Sequence, residues 1–106
     1  MHPQMRILTA QAQIFKALGH PSRLLMLKAL REGEKCVCDL QTLVGYDMST
    51  VSKHLAVLRQ AGVVESEKRG TSIYYRLALC CLDTFLKCTE DAVRRRILAQ
   101  AALLES

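Results

Sequence analysis

Hydrophobic positions along the chain follow a helical spacing over most of its length and a strand-like spacing in one stretch. In five segments apolar residues recur three and four positions apart, and a glycine closes each of the first four segments. Between the fourth and fifth segments apolar and polar residues alternate, which is typical of β-strands. The pattern predicts helices over residues 7–18, 21–32, 36–45, 48–61 and 82–104, and a β-hairpin over residues 63–77.

The third and fourth predicted helices are separated by a tight turn, and the hairpin follows the fourth helix directly. This order of elements is typical of a winged helix-turn-helix, in which the second helix of the pair enters the major groove of DNA. The hairpin, called the wing, then lies over a neighbouring part of the DNA backbone. We therefore predict a mainly α (α+β) fold with a two-stranded β-hairpin wing, formed as a single domain by residues 1–106.

The predicted fourth helix divides its side chains between an apolar side and a polar side. The apolar side is expected to face the core and consists of Met48, Val51, Leu55 and Leu58. Short hydroxyl and cationic side chains on the other side, and at the hairpin tip, have the chemistry to contact bases and phosphates. A structural alternative is that the hydroxyls only cap the helix and the cations are solvated. The predicted DNA-binding residues are Ser49, Thr50, Ser52, Lys53, His54, Lys68 and Arg69.

Charge and length narrow the class of protein. The chain has 106 residues, with 15 Lys and Arg against 10 Asp and Glu, and its formal net charge is +5. This balance favours a polyanionic partner such as nucleic acid.

A domain of this size has a small hydrophobic core, and the last predicted helix has an apolar face that nothing else in the chain is expected to cover. We therefore expect the protein to form a dimer. The sequence lacks a secretory signal and an apolar run long enough to span a membrane, which predicts a cytoplasmic protein.

Five cysteines in a chain rich in Leu, Ile and Val argue against a disulfide-stapled secreted scaffold. They are expected to be free thiols that serve as ligands or redox sensors. Cys36 and Cys38 stand two residues apart, and in a regular helix their side chains would point about 200° apart. If both bind one ion, the start of the third helix has to unwind, and that helix supports the recognition helix. Thiolates select soft ions such as As(III), Sb(III), Cd(II), Pb(II) or Zn(II) over oxygen-loving ions.

Three stretches resemble the ArsR/SmtB family of metalloregulatory repressors, and the arsenical-responsive branch in particular. They are Glu34-Lys-Cys-Val-Cys-Asp-Leu, residues 48–64 (Met-Ser-Thr-Val-Ser-Lys-His-Leu and onward), and Gly70-Thr-Ser-Ile-Tyr-Tyr-Arg-Leu. The match covers roughly residues 11–90. The resemblance implies a homodimer, joined through the first and last helices, that binds operator double-stranded DNA and releases it when an inducer binds. By this resemblance Cys36 and Cys38 are the metal-binding residues and As(III) is the leading inducer.

The sequence departs from the family pattern at the metal box. The arsenical box usually carries a third cysteine after its Asp-Leu pair, and Gln41 stands there in this chain. Cys80, Cys81 or Cys88 could supply the missing sulfur, from the same subunit or from its partner. These three cysteines could equally form a separate site, similar to the thiol clusters by which some arsenical repressors of the family bind As(III). The structural alternative is that they are helix-start and core residues. After Leu77 the chain has no histidine, which disfavours the zinc-sensing site that the family carries on its last helix.

Other functions are compatible with the same sequence. A thiol-redox repressor would use its cysteine pairs as a disulfide switch, and a Cd(II) or Pb(II) sensor would use the same box for another ion. A winged-helix module that mediates only protein contacts is a further alternative. An enzyme is disfavoured because the chain lacks a Cys-x-x-Cys pair, a nucleotide-binding glycine loop and paired carboxylates. We expect no catalytic residues and no organic cofactor.

Overall fold

The computed structural model describes residues 2–105, which form five helices and three strands. Four of the helices come before the hairpin, and one follows it. The elements in chain order are α1 (Pro3–Leu18), α2 (Pro21–Leu30), β1 (Lys35–Cys36), α3 (Val37–Val44), α4 (Met48–Gln60), β2 (Val64–Arg69), β3 (Ser72–Leu77) and α5 (Leu82–Glu105). This is the mainly α winged helix-turn-helix that the sequence predicts, with α3 and α4 as the helix pair.

The ends of the helices follow from local sequence chemistry. His20 precedes α2 in an extended conformation, and its Nδ1 accepts a hydrogen bond from the Ser22 backbone N–H at 3.1 Å. Pro21 takes the first helical position, where its missing N–H costs nothing. Gly45 ends α3 with φ +76°, a left-handed conformation that favours glycine. The chain therefore turns sharply between α3 and α4. Helix α1 begins at Pro3, four residues before the sequence-based start, because His2 caps it.

The wing contains one strand more than predicted. Strands β2 and β3 form an antiparallel hairpin, and β1 pairs antiparallel with the other edge of β3, so the sheet order is β1-β3-β2. The pairing places Lys35 opposite Tyr75 and Cys36 opposite Tyr74. The prediction of a two-stranded wing is therefore corrected to a three-stranded sheet. The predicted start of the third helix at Cys36 also moves, because Cys36 belongs to β1 and α3 begins at Val37.

One continuous core holds α2, α3, α4 and the hairpin together. Val51, Leu55 and Leu58 of α4 are fully buried in it. Because these three residues share one side of α4, the opposite side of that helix faces solvent. The complete set of buried apolar residues is Ala17, Leu18, Met26, Leu27, Leu30, Leu40, Val51, Leu55, Leu58, Val63, Val64, Tyr75 and Leu82.

The first and last helices project from this core. Within the described part of α5, Leu82 is the one buried residue, and α1 buries only Ala17 and Leu18. The two helices meet where the rings of Phe15 and Phe85 stand edge to face with centroids 6.0 Å apart. Both helices consequently expose many large apolar side chains, which include Met5, Ile7, Leu8, Phe15, Phe85, Val93, Ile97 and Leu98.

Ion pairs connect α5 to α2. The Lys28 ammonium of α2 lies 2.7 Å from the Glu90 carboxylate, which lowers the pKa of Glu90, and Arg31 of α2 pairs with Asp83. These contacts fix the direction in which α5 leaves the core. Among residues 2–105, no helix combines the length and the apolar character needed to cross a membrane.

The buried side of α4 generates a stability prediction. Replacing the fully buried Leu55 with Ala removes core contacts and leaves a cavity, so Leu55→Ala should lower the free energy of unfolding by about 2–5 kcal/mol. The matched control is Leu43→Ala on α3, where the side chain is 43% exposed and the loss should be clearly smaller. Urea unfolding followed by circular dichroism, at one fixed protein concentration, measures both. Equal losses for the two variants would contradict the described core.

Candidate nucleic-acid interface and thiol site

The solvent-facing side of α4 begins with an ordered group of hydroxyl side chains. Ser49 Oγ donates a hydrogen bond to Asp47 Oδ2 at 2.7 Å, and Thr50 Oγ1 donates to Asp47 Oδ1 at 2.5 Å. These two bonds hold the pKa of Asp47 below its usual value. Ser49, Ser52 and Lys53 are exposed, and Thr50 is half-buried. The start of α4 therefore presents fixed hydroxyls and one cation on a single exposed surface.

His54 has a different position from the other predicted α4 residues. It is half-buried, and its Nδ1 accepts a hydrogen bond from Arg23 Nε at 3.1 Å. Its ring lies 4.5 Å from the ring of His20, centroid to centroid. Burial lowers the pKa of His54, and the neighbouring His20 and Arg23 lower it further. The neutral ring thereby joins α4 to α2, so the side chain positions the recognition helix.

Arg23 completes this junction and was not singled out by the sequence analysis. Besides its bond to His54, the guanidinium Nη1 donates to the backbone carbonyl of Ala17 at 3.3 Å. One side chain of α2 thus contacts the end of α1 and the middle of α4. The distance of 31 residues between Arg23 and His54 leaves no local pattern from which this pair could have been found.

The two predicted wing cations have different surroundings. Lys68 is exposed near the hairpin tip, and no ion pair found among residues 2–105 involves it. Arg69 donates to both carboxylate oxygens of Glu34, at 2.5 and 2.9 Å, and to Glu67 at 2.8 Å. Its guanidinium also lies over the ring of Tyr74, 4.7 Å from the centroid. These carboxylates raise the pKa of Arg69, and the Arg69 guanidinium lowers the pKa of Glu67. In the free chain, Arg69 is thus engaged within the protein.

Cys36 and Cys38 lie at the junction between the wing sheet and α3. Cys36 has extended backbone angles of φ −78° and ψ 158°, and its Sγ accepts a hydrogen bond from the Asp39 backbone N–H at 3.4 Å. Cys38 follows as the second residue of α3 and is exposed. The Cys36 thiol beside it, through hydrogen bonding and charge, raises the pKa of Cys38. The two thiols thus stand on either side of the point where β1 ends and α3 begins.

This geometry changes the expected coupling between the thiols and the helix. A regular helix that contains both cysteines, as the sequence predicts, would have to unwind before they could bind a common ion. Because Cys36 stands outside the helix, in extended backbone, the helical angle between positions two residues apart does not set the direction of its side chain relative to Cys38. The pair supplies two sulfur donors, which suit a soft ion.

The three remaining cysteines are not brought to this pair within one chain. Cys80 and Cys81 form a turn just before α5, with their Sγ atoms 3.5 Å apart, and the neighbouring Cys80 raises the pKa of Cys81. Cys88 lies farther along α5 and is exposed. In the described part of the chain, no group of three His, Cys, Asp or Glu side chains is arranged to hold a metal ion. A single subunit therefore offers two separate thiol pairs.

Comparisons of sequence give a consistent set of relatives. The model of the family described as "Bacterial regulatory protein, arsR family" matches residues 20–66. The HTH-type transcriptional repressor SmtB of Mycobacterium tuberculosis strain H37Rv is 35% identical over 96 residues, which cover 86% of this chain and 71% of that protein. The arsenical resistance operon repressor of Escherichia coli K12 is 36% identical over 90 residues, with 77% of each chain covered.

A comparison of structures agrees with the sequence relatives. The solution structure of a homodimeric winged helix-turn-helix DNA-binding domain from Mycobacterium bovis, described as a possible ArsR-family transcriptional regulator, matches with a TM-score of 0.80. The two sequences are 28% identical, and the match covers 92% of this chain and 90% of that one. The fold, the helix pair and the extent of the shared sequence lead to one conclusion. This chain belongs to the ArsR family of bacterial transcriptional regulators.

Proposed function

We propose that this protein is a homodimeric repressor that binds operator double-stranded DNA and releases it when Cys36 and Cys38 bind As(III), Sb(III) or a similar soft ion. The observation that carries the proposal is the position of the two neighbouring thiols. They lie where β1 of the wing sheet meets α3, and α3 is joined to α4 by a short turn at Gly45. A ligand at this point therefore contacts β1 and α3, which adjoin the hairpin and α4 respectively.

The exposed side of α4 supports DNA binding. Ser49, Ser52 and Lys53 face solvent beside the hydroxyl of Thr50, and Lys53 takes part in none of the ion pairs found among residues 2–105. A cation without a carboxylate partner is available to a phosphate, and the hydroxyls have the chemistry to contact bases and phosphates. In this proposal Lys68 contacts the backbone from the wing, and His54 acts by holding α4 in place.

The thiol pair supports a thiophilic inducer. When As(III) hydroxide reacts with a thiol, an As–S bond forms, an As–O bond breaks, and the hydroxide leaves with the thiol proton as water. Cys36 and Cys38 supply two such bonds. The third position of As(III) then keeps a hydroxide or takes a thiolate from Cys80, Cys81 or Cys88 of either subunit. The name of the Escherichia coli relative, an arsenical resistance operon repressor, supports As(III) as the leading ion.

The exposed apolar side chains of α1 and α5 support a dimer. Ile7 is 68% exposed and Ile97 is 58% exposed, and burying such side chains against a second copy would remove them from water. The Mycobacterium bovis neighbour is homodimeric. A two-fold dimer also matches the symmetry of the paired half-sites that helix-turn-helix proteins bind.

A thiol-redox switch is the second candidate, and one distance favours it. The Sγ atoms of Cys80 and Cys81 lie 3.5 Å apart in an exposed turn. Oxidation by a peroxide would join them in a disulfide, with two electrons and two protons passing from the thiols to the oxidant. Hydrogen peroxide would leave as two water molecules, and an alkyl peroxide as one alcohol and one water. Release of DNA by a peroxide alone, reversed by a dithiol, would favour this candidate over ion binding.

The proposed phosphate contact of Lys53 is tested by the salt dependence of binding. Lys53→Ala should weaken operator binding and reduce the slope of log Kd against log salt concentration by about one for each chain. The matched control is Lys87→Ala, which removes an exposed lysine from α5. Fluorescence anisotropy of a labelled operator at several salt concentrations measures both slopes. An unchanged slope for Lys53→Ala would exclude the phosphate contact.

The inducer site is tested by replacing both thiols of the pair. We expect the Cys36→Ser/Cys38→Ser protein to bind operator normally and to remain bound at As(III) or Cd(II) concentrations that release the original protein. It should also lose the ultraviolet thiolate-to-Cd(II) absorption. Cys88→Ser is the single-thiol control, and Cys80→Ser/Cys81→Ser tests the third sulfur. Release of the Cys36→Ser/Cys38→Ser protein at the original As(III) concentration would remove these residues from the mechanism.

The dimer surface is tested by a charge placed on the apolar side of α5. Ile97→Glu would bury a carboxylate in the proposed interface, so the variant should dissociate at protein concentrations where the original chain is dimeric. Arg95→Glu introduces the same side chain on the opposite side of this turn of the helix and should leave assembly intact. Sedimentation equilibrium over a hundredfold range of concentration separates the outcomes. An Ile97→Glu protein that remains dimeric would contradict the proposal that this face forms the dimer interface.

A further inference from the structure

The thiol segment is part of the wing sheet. Strand β1 contains Cys36 and lies at the edge of the sheet, where it pairs with β3. Its two residues, Lys35 and Cys36, are opposite Tyr75 and Tyr74. A strand of two residues has few hydrogen bonds to hold its register. A change in the backbone at Cys36 therefore displaces the residues immediately before it. The first of these is Glu34.

Glu34 connects this edge strand to the far end of the hairpin. Both of its carboxylate oxygens accept hydrogen bonds from the Arg69 guanidinium, although 35 residues separate the two positions. Arg69 ends β2 beside the turn at Gly70, which is the tip of the wing. Paired hydrogen bonds between a guanidinium and a carboxylate are sensitive to both distance and orientation. A small displacement of Glu34 would therefore break the pair.

The contacts form a closed path between the thiols and the wing tip. Cys36 is the pairing partner of Tyr74 in the sheet, and the Tyr74 ring lies under the Arg69 guanidinium. Arg69 binds Glu34, which lies two residues before Cys36 in the chain. Two routes thus lead from Cys36 to Arg69, one through the backbone and carboxylate of Glu34 and one through Tyr74.

A second ion pair in the same hairpin provides a natural comparison. Glu65 and Arg76 are opposite each other on β2 and β3, and Arg76 Nε donates to Glu65 at 3.0 Å. Both of these residues belong to the hairpin itself. Arg76 Nη1 also lies 3.9 Å from Glu34, so the two pairs are neighbours. Removing the Glu65 carboxylate changes wing charge and wing packing but leaves both hydrogen bonds from Arg69 to Glu34 in place.

We propose that Glu34 is a positioning residue that transmits ligand binding at Cys36 and Cys38 to the wing by holding Arg69. This inference rests on the proposed function. Binding of an ion brings the two sulfurs into one coordination sphere, and this movement shifts β1. Glu34 then releases Arg69, and the wing tip with Lys68 loses its position over the DNA backbone. The thiols thereby act on the wing through the sheet, in addition to acting on α4 through α3.

The experiment measures the coupling between Cd(II) and operator DNA. The ratio of operator Kd with and without Cd(II) is compared for the original protein, Glu34→Gln and Glu65→Gln, each as the full chain. Allosteric coupling commonly changes affinity by about 5- to 150-fold. For Glu34→Gln we expect the ratio to fall toward one while the thiolate-to-Cd(II) absorption stays unchanged. For Glu65→Gln we expect the ratio of the original protein. Both variants lose one negative charge, so the metal-free affinity of Glu65→Gln reports the charge effect. Any further weakening in Glu34→Gln reports the lost hold on Arg69.

Three outcomes would overturn the inference. Glu34→Gln could keep the original ratio with normal Cd(II) absorption, which would show that the wing is not coupled through this residue. Glu65→Gln could lose the ratio to the same extent, which would assign the effect to wing packing in general. The third outcome comes from a second measurement, which is made on DNA-free protein. It follows the nuclear magnetic resonance signal of the Arg69 Nε–H, and the loss of this signal in Arg69→Lys assigns it. Absence of a Cd(II)-induced shift that depends on Cys36 and Cys38 would exclude the path.

The same measurements separate this inference from the proposed function. If the original protein stays on the operator with both As(III) and Cd(II), the inducer proposal fails. The Arg69 signal then still decides the inference, because it reports whether an ion at the thiols moves the Arg69 side chain in the absence of DNA. A cysteine-dependent shift supports the path from the thiols to the wing. The lack of one overturns it.

Discussion

Burial of one side of α4 is the constraint on which the rest of the structure depends. Val51, Leu55 and Leu58 fill the space between α2, α3 and the hairpin, so the rotation of α4 about its axis is fixed by packing. That rotation decides which side chains reach solvent, and Ser49, Ser52 and Lys53 are among them. The His54 contact with Arg23 adds a polar restraint to the same helix from α2 and α1. The exposure of these hydroxyls and of this cation is thus a consequence of apolar packing on the other side of α4.

Periodic features of this chain were predictable from sequence, and isolated long-range contacts were not. The spacing of Val51, Leu55 and Leu58 predicted α4 and its exposed side, and the alternation around Gly70 predicted the hairpin. Strand β1 was missed because two residues are too few to show a period. The start of α1 was placed late because its first turn has no apolar stripe. The Cys36 geometry was also missed, since it depends on the strand that precedes α3. Pairs such as Arg69 with Glu34 arise only when the fold brings distant residues together.

The net charge of the sequence conceals how charge is distributed at the wing. Two guanidinium groups, on Arg69 and Arg76, face three carboxylates there, on Glu34, Glu65 and Glu67. The wing cluster is therefore slightly acidic, although the whole chain carries a formal charge of +5. In the proposed function, attraction to DNA comes from other cations, such as Lys53 and Lys68. Exposed ion pairs of this kind contribute little to stability, so their effect here is mainly on geometry.

The projection of α5 away from the core has a consequence for how the protein folds. The radius of gyration is 16.4 Å, whereas a compact chain of this length would have about 13 Å. Most of α5 therefore gains little stability from its own subunit, and an isolated helix in water is marginal. In a dimer joined through α1 and α5, ordering of this helix and association become one thermodynamic event. The melting temperature would then rise with protein concentration, and a newly made chain would complete its last helix only on meeting a second copy.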